Sequence, residues 1–234
     1  MKSILLCLSM MILPTLAAAA TPFDGFYVGG QAGLGALHTY MELEDADNDE
    51  QDDQGDWGLG PTGGIFFGGG GAIKDAFYLG GEIDAAYHGL SADPTSEETL
   101  DLNWSFGARI RIGGVIADDH LLYTMLGLRV GLFEYDNRTG YDYEFENGCC
   151  DCDQDDDDCD DDNWGSEEKP VLGGASVGLG YEYAITDHLG MRTEVGYTFY
   201  APLEYEYISG ARQYWDESIY PSVLDATLGL VWHF

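Results

Sequence analysis

The sequence has few basic residues and no long apolar segment after its first twenty positions. It contains 9 Lys and Arg against 43 Asp and Glu, which gives a formal net charge of −34. A nucleic-acid-binding protein needs clustered basic side chains to neutralise phosphates, so that class is excluded. A membrane-spanning helix needs a run of about 18 apolar residues, and none follows Thr21. The hydrophobic content of 45% argues equally against a disordered acidic chain.

The first residues have the pattern of a secretory signal peptide. Lys2 precedes a short apolar core at Ile4–Leu16, and small residues follow at Ala17–Ala20. A basic start, a short apolar core and an Ala-x-Ala site together predict export and cleavage. We therefore expect residues 1–20 to be a signal peptide and residues 21–234 to form a single domain.

The rest of the chain alternates apolar and polar residues with a period of two. In Thr99–Gly113, one face is apolar and the other is polar: the first holds Leu100, Leu102, Trp104, Phe106, Ala108, Ile110 and Ile112, and the second holds Asp101, Asn103, Ser105, Gly107, Arg109 and Arg111. A strand points successive side chains to opposite faces, so this pattern predicts β-structure. Eight segments show it, at about residues 25–38, 57–73, 77–88, 99–113, 121–135, 171–184, 190–200 and 223–234.

The connections between these segments alternate in length. Three are short links, and the other four are longer and polar. Short turns on one side of a membrane and long loops on the other are typical of bacterial outer-membrane barrels. We predict an all-β fold, an eight-stranded antiparallel up-and-down transmembrane β-barrel with short periplasmic turns and long extracellular loops. A soluble β-sandwich would show a similar alternation, but its strands are usually only five or six residues long.

Three stretches carry a family resemblance. DGFYVGGQAGLG (Asp24–Gly35), LGYEYAITDHLGMRTEVGYTF (Leu179–Phe199) and ATLGLVWHF (Ala226–Phe234) resemble the small eight-stranded outer-membrane barrels of Gram-negative bacteria, the OmpA-like and opacity-like porin family of surface proteins. The resemblance implies location in the bacterial outer membrane and insertion by the barrel-assembly machinery. It also implies that the signal recognised by this machinery in the last strand consists of Leu230, Trp232 and Phe234.

The phase of the alternation assigns several charged side chains to the inside of the barrel. Side chains just fill the interior of an eight-stranded barrel, and a charge buried there needs a partner. We therefore expect a charge network, which forms either a plugged structural core or the gate of a narrow ion path. Its members would be Glu82, Asp84, Asp101, Arg109, Arg111, Arg129, Glu182, Arg192, Glu194 and Asp225.

The third long connection, at about residues 136–169, contains the unusual segment GCCDCDQDDDDCDDDN. Disulfides are expected here because an exported protein meets an oxidising compartment, and three pairings remain open. Low-affinity Ca²⁺ binding by spaced aspartates is a second interpretation, and a soft metal on the thiolates is a third. The cysteines are Cys149, Cys150, Cys152 and Cys159, and the Ca²⁺ candidates are Asp45, Asp47, Asp49, Asp151, Asp153 and Asp155.

Two functions fit these features, and neither is enzymatic. One is a structural or interaction role, in which the barrel displays strongly acidic loops, because 31 of the 43 acids lie in the four long connections. The other is a small cation-preferring pore with an acidic mouth. The expected partners are outer-membrane lipid, lipopolysaccharide, the barrel-assembly machinery and either a host surface or cations. No cofactor is expected apart from weakly bound Ca²⁺.

Overall fold

The structure is a computed structural model, and it describes residues 21–45, 54–73, 76–93, 98–137, 166–208 and 214–234. In these ranges the chain forms ten strands: β1 (Gly25–Asp45), β2 (Gln54–Ile73), β3 (Phe77–Ala92), β4 (Glu98–Ile116), β5 (His120–Asn137), β6 (Ser166–Glu168), β7 (Val171–Ala184), β8 (Leu189–Tyr200), β9 (Leu203–Ile208) and β10 (Tyr214–His233). No helix among the described residues is long and apolar enough to cross a membrane.

Eight of the described strands close into an antiparallel barrel. Their order around the barrel is β1-β2-β3-β4-β5-β7-β8-β10, and β10 returns to pair with β1. That closing ladder runs from Tyr27 opposite His233 to Asp45 opposite Trp215. The short strands β6 and β9 pair with β5 and β10 respectively. The predicted eight-stranded up-and-down barrel is confirmed.

The two ends of the barrel differ. At the turn end, residues 117–119 and 185–188 connect strands, and the first and last described residues also lie there. At the opposite loop end the connections are longer and the strands continue further than predicted. Strand β1 ends at Asp45 rather than near residue 38, and β10 begins at Tyr214 rather than near residue 223. Backbone pairing therefore continues beyond the apolar alternation from which the strands were predicted.

The outer surface of the barrel is apolar. Large apolar side chains point outward and are half-exposed or more on every strand of the closed barrel, for example Leu34, Ile65, Leu128 and Leu179 at 61–72% exposure. Outward aromatic residues include Tyr220 and Trp232, which lie twelve positions apart on β10. At ~3.3 Å per residue and a tilt of ~40°, they span about 30 Å, close to the hydrocarbon thickness of a bilayer.

Strand β4 does not keep one phase along its length. A register shift between Leu102 and Trp104 places Asn103 as an extra residue opposite β5. As a result Leu100 and Leu102 are fully buried inside the barrel, and Asp101 lies on the outer face. The predicted faces of β4 are correct from Trp104 onward and wrong before it, because a bulge inserts one residue and exchanges the two faces.

The interior is divided into three layers along the barrel axis. The loop-end cluster contains Leu37, Met41, Leu90, Ala92, Leu100, Leu102, Phe133, Tyr135, Leu172, Tyr200, Leu203, Ile219 and Val223. The turn-end cluster contains Phe23, Tyr78, Leu121, Tyr123 and Met125, with Tyr27, Phe66 and Val231 forming a second apolar group. Charged side chains lie between these apolar layers. The barrel is therefore filled with side chains, as expected for eight strands.

Candidate functional site: the charged layer of the lumen

The charged layer consists of inward-facing residues from six different strands. Because a strand alternates its faces, one inward phase places Glu82 and Asp84 on β3 and Arg109 and Arg111 on β4 in the same interior. Strand β5 adds Arg129 in the same manner. The remaining members, which come from β7, β8 and β10, are Glu182, Arg192, Glu194 and Asp225.

Glu82 is at the centre of this layer. Its carboxylate accepts hydrogen bonds from Arg109, including one from Nε at 2.8 Å, and from Nη1 of Arg192 at 2.7 Å. The Nη1 atom of Arg111 lies 3.7 Å away. The Glu82 side chain has no exposed surface. Three guanidinium groups therefore supply the compensation that a fully buried carboxylate requires.

Glu194 forms a second centre on β8. Its Oε2 atom accepts a hydrogen bond from Nη2 of Arg109 at 2.9 Å, and its Oε1 atom accepts one from the hydroxyl of Tyr123 at 2.6 Å. The Nε atom of Arg192 is 3.3 Å from the same carboxylate. Arg109 and Arg192 thus each bridge two carboxylates, which ties β3, β4 and β8 together across the lumen.

Arg129 organises the loop-end side of the layer. Its Nη2 atom donates to both oxygens of Asp84, at 3.0 and 2.8 Å, and its Nη1 atom donates to Oγ of Ser105 at 2.7 Å. Ser105 in turn contacts Nε2 of His88 at 2.8 Å, and the other ring nitrogen lies 3.0 Å from Oγ1 of Thr62. This polar chain crosses from β5 to β2 directly below the loop-end cluster.

Arg111 lies at the turn-end side, in an aromatic cage. Its guanidinium carbon is 3.9 Å from the ring centre of Tyr123, 5.1 Å from that of Tyr27 and 5.6 Å from that of Tyr78. Cation–π attraction is strongest where water is excluded, as it is here. Glu182 accepts a hydrogen bond from Nη2 at 2.7 Å, and its other oxygen lies 2.7 Å from Nε2 of His233.

Asp225 differs from the other carboxylates of the layer. In the described part of the chain it takes part in no ion pair or hydrogen bond within normal contact distance. It lines a cavity of about 20 Å³ together with Ser176, Thr198, Arg109 and Arg129. This is the volume that one water molecule occupies.

The structure thus places nine of the ten predicted network residues in the lumen and brings eight of them into direct ionic contact. Asp101 is the exception, because the bulge at Asn103 turns it to the outer face beside Glu134. The prediction that Asp101 belongs to the lumen is therefore wrong. The sequence interpretation also omitted uncharged partners. The period-two phase contains the signal that could have found them, because it places Tyr27, Tyr123 and His233 on inward faces.

The other predicted sites lie largely outside the described residues. This applies to the four cysteines Cys149, Cys150, Cys152 and Cys159, and to Asp47, Asp49, Asp151, Asp153 and Asp155. Asp45 is the last residue of β1. Within the described ranges no group of three or more His, Cys, Asp or Glu is arranged to hold a metal ion. In the last strand, the three residues of the predicted assembly signal all point outward: Leu230, Trp232 and Phe234.

These features define a bacterial outer-membrane barrel, with an apolar outer surface, a charged lumen and two unequal ends. Residues 3–234 match the outer membrane protein beta-barrel domain family. The chain belongs to that family, and its location is the bacterial outer membrane. None of the curated proteins compared with the sequence matches it.

Several solved structures are similar to this chain in fold. Neisserial surface protein A shows 15% identity and a TM-score of 0.40, covering 90% of this chain and 98% of that one. The outer membrane protein OprG from Pseudomonas aeruginosa shows 13% identity and a TM-score of 0.47, covering 90% and 97%. The outer membrane protease OmpT from Escherichia coli shows 11% identity and a TM-score of 0.48, covering 94% and 100%.

Proposed function

We propose that this protein is a surface protein whose closed barrel anchors strongly acidic segments at the loop end, where they bind other molecules. The observation that carries the proposal is the filling of the lumen. Leu100, Leu102 and Ile219 are fully buried at the loop end, and Tyr78 and Leu121 are fully buried at the turn end. Between them the four arginines of the charged layer are engaged by carboxylates, which supports a lumen that is closed to solutes.

The sequence supplies the binding surface. Of the 43 acidic residues, 31 lie in the four long connections, and 15 of these are in residues 136–169. Hard carboxylate oxygens suit Ca²⁺ and Mg²⁺. We expect divalent cations to bind there with low affinity, and the cations to link the acidic segments to the phosphates of neighbouring lipopolysaccharide or to a host surface. No catalytic step forms part of this proposal, because the titratable groups of the charged layer are buried from both ends.

The test is a planar-bilayer recording of the refolded protein, combined with calorimetric Ca²⁺ titration. We expect a silent bilayer from protein whose folding is shown by heat-modifiable gel mobility. We also expect deletion of residues 140–165 to remove about two fifths of the bound Ca²⁺, since the deleted residues include 12 of the 31 acids in the long connections. Unchanged Ca²⁺ binding after the deletion would contradict the proposal that this connection binds Ca²⁺.

A second candidate function is a small cation-preferring pore. The water-sized cavity beside Asp225 favours it, because the cavity leaves space for one small ion or water molecule next to a carboxylate in the middle of the lumen. Discrete, cation-selective conductance steps in the same recordings would contradict the closed anchor and support this pore. Their loss in Asp225→Asn would then identify the carboxylate as part of the ion path.

A further inference from the structure

The loop-end half of the barrel is not a continuous wall. The ladder between β2 and β3 stops at Thr62 opposite His88, so that Gln54–Pro61 has no paired partner in β3. The ladder between β7 and β8 stops at Gly174 opposite Tyr200, followed by one further backbone hydrogen bond, from the amide of Ala201 to the carbonyl oxygen of Gly173 at 2.8 Å. Above that level, within the described residues, β6 pairs only with β5 and β9 pairs only with β10. Two seams therefore run from the middle of the barrel to its loop end.

These seams divide the loop-end half into two four-stranded leaves. The first leaf contains the loop-end parts of β2, β1, β10 and β9, joined by continuous ladders. The second contains the loop-end parts of β3, β4, β5 and β6, joined by ladders that resume on the loop-end side of the bulges at His88–Gly89 and Asn103. The long connections β1–β2 and β9–β10 stay within the first leaf, and β3–β4 and β5–β6 stay within the second. No connection at the loop end joins one leaf to the other.

The loop-end cluster is the contact between the two leaves. The first leaf contributes Leu37, Met41, Leu203, Ile219 and Val223. The second leaf contributes Leu90, Ala92, Leu100, Leu102, Phe133 and Tyr135, and the cluster is completed at the second seam by Leu172 and Tyr200. The leaves thus meet as two sheets packed face to face on an apolar core. Such a contact depends on apolar burial, whereas the rest of the wall is held by backbone hydrogen bonds.

The first seam is closed by close approach and by one polar contact. A Cβ atom at Gly58 would collide with the carbonyl oxygen of Ser91, and one at Gly60 would collide with that of Gly89. The glycines therefore allow the two backbones to touch without forming a ladder. The amide of Asp93 donates to the exposed carboxylate of Asp56 at 2.9 Å. Water can replace an exposed hydrogen bond of this kind at little cost.

We propose that the two leaves separate as units about the middle of the barrel, and that the loop-end cluster is the latch that keeps them closed. Opening exposes the charged layer from the loop end while the turn-end cluster stays closed. Like charge favours the open state, because acid-rich connections are attached to both leaves, with nine acids in residues 39–56 and fifteen in residues 136–169. The device belongs to the wall of the barrel and does not depend on what the acidic segments bind.

A buried thiol introduced below the latch reports this opening. Ala86 points into the lumen with 5% of its surface exposed, and the change Ala86→Cys adds little volume. The reagent is iodoacetamide, and peptide mass spectrometry assigns the label to residue 86, so the native cysteines do not interfere. In the otherwise unchanged protein we expect slow labelling whose rate does not depend on urea at low concentration, because opening the leaves exposes little surface compared with unfolding.

Two matched pairs of variants test whether the leaves open at the latch. Leu102→Ala weakens the latch, whereas Leu121→Ala removes the same atoms from the turn-end cluster. We expect labelling to be about ten-fold faster or more in the first and little changed in the second, since large-to-small core substitutions cost well over a factor of ten in equilibrium. Gly60→Ala forces the seam apart and should also accelerate labelling, whereas Gly81→Ala, where a Cβ meets nothing within 4 Å, should not.

Opening of the leaves and general unfolding predict different labelling rates. Equal acceleration by Leu102→Ala and Leu121→Ala, or a labelling rate that rises steeply with urea in all variants, would mean that the thiol is reached through general unfolding and would overturn the proposal. If Gly60→Ala fails to fold, as shown by its gel mobility, the comparison of Leu102→Ala with Leu121→Ala still tests the proposal. A rate that falls as NaCl is raised would support charge repulsion as the force that opens the leaves.

Discussion

Arg192 and Glu82 meet across the lumen, with 2.7 Å between Nη1 of the arginine and Oε2 of the glutamate. They are 110 positions apart in the chain and lie on β8 and β3, which are not neighbours in the sheet. The ion pair therefore connects opposite walls of the barrel, where no backbone ladder can act. It is the clearest sign that the charged layer contributes to the stability of the closed form.

The change Glu82→Gln should destabilise the barrel strongly, because it leaves three buried guanidinium groups with one anion fewer. Breaking a buried network in this manner typically costs about 3 kcal/mol or more. The free energy of unfolding, measured by urea titration in lipid vesicles, provides the check. Glu134→Gln is the matched control, because Glu134 pairs with the largely exposed Lys169 and should lose less than about 1 kcal/mol. Equal losses in the two variants would contradict the central role of Glu82.

The two aspartates of the layer should respond differently to the same substitution. Asp84→Asn removes a carboxylate whose two oxygens both accept hydrogen bonds from Arg129, and should cost about 3 kcal/mol. Asp225→Asn removes a carboxylate that makes no ion pair within the described residues, and should cost much less, because the arginines beside it keep their bonds to Glu82, Glu194 and Asp84. Parallel unfolding titrations measure the difference. A loss at Asp225 as large as that at Asp84 would show that Asp225 is paired in solution.

Two further expectations follow from the bulge at Asn103. Leu102→Asp places a charge inside the loop-end cluster and should prevent stable folding or cost several kcal/mol. Asp101→Leu, one position away, should change the free energy of unfolding by less than about 0.5 kcal/mol because residue 101 lies on the outer face. Gel mobility and urea titration give both results. A larger loss for Asp101→Leu than for Leu102→Asp would contradict the bulge and would support the uninterrupted alternation predicted from the sequence.

The last residue should matter more for assembly than for stability. Phe234 and Phe77 are both outward-facing and exposed at the turn end, at 70% and 47%. Phe234→Ala should lower the amount of protein in the outer membrane several-fold, whereas Phe77→Ala should have little effect, because only the former belongs to the expected assembly signal. Immunoblotting of outer-membrane fractions measures this. In vitro refolding into vesicles serves as the control and should proceed similarly for both variants.

The fold could be predicted from the sequence because a barrel repeats one simple rule. Alternation of apolar and polar residues determines which side chains face lipid, and this placed Arg192 and Glu194 correctly inside. The same rule failed at Asp101, because one inserted residue reverses the phase without changing the local composition. It also could not predict which arginine pairs with which carboxylate, since partners such as Arg192 and Glu82 are brought together only when the sheet closes.

Closure has a consequence for the biosynthesis of the protein. The ladder that seals the barrel pairs the first strand with the last, from Tyr27 opposite His233 to Asp45 opposite Trp215. Contacts of such long sequence separation form slowly, because most of the chain must be ordered before they contribute. Until the C-terminal strand has emerged and crossed to the periplasm, β1 has an unsatisfied edge that is prone to aggregation. We therefore expect the chain to need protection of this edge until β10 pairs with β1 and closes the ring.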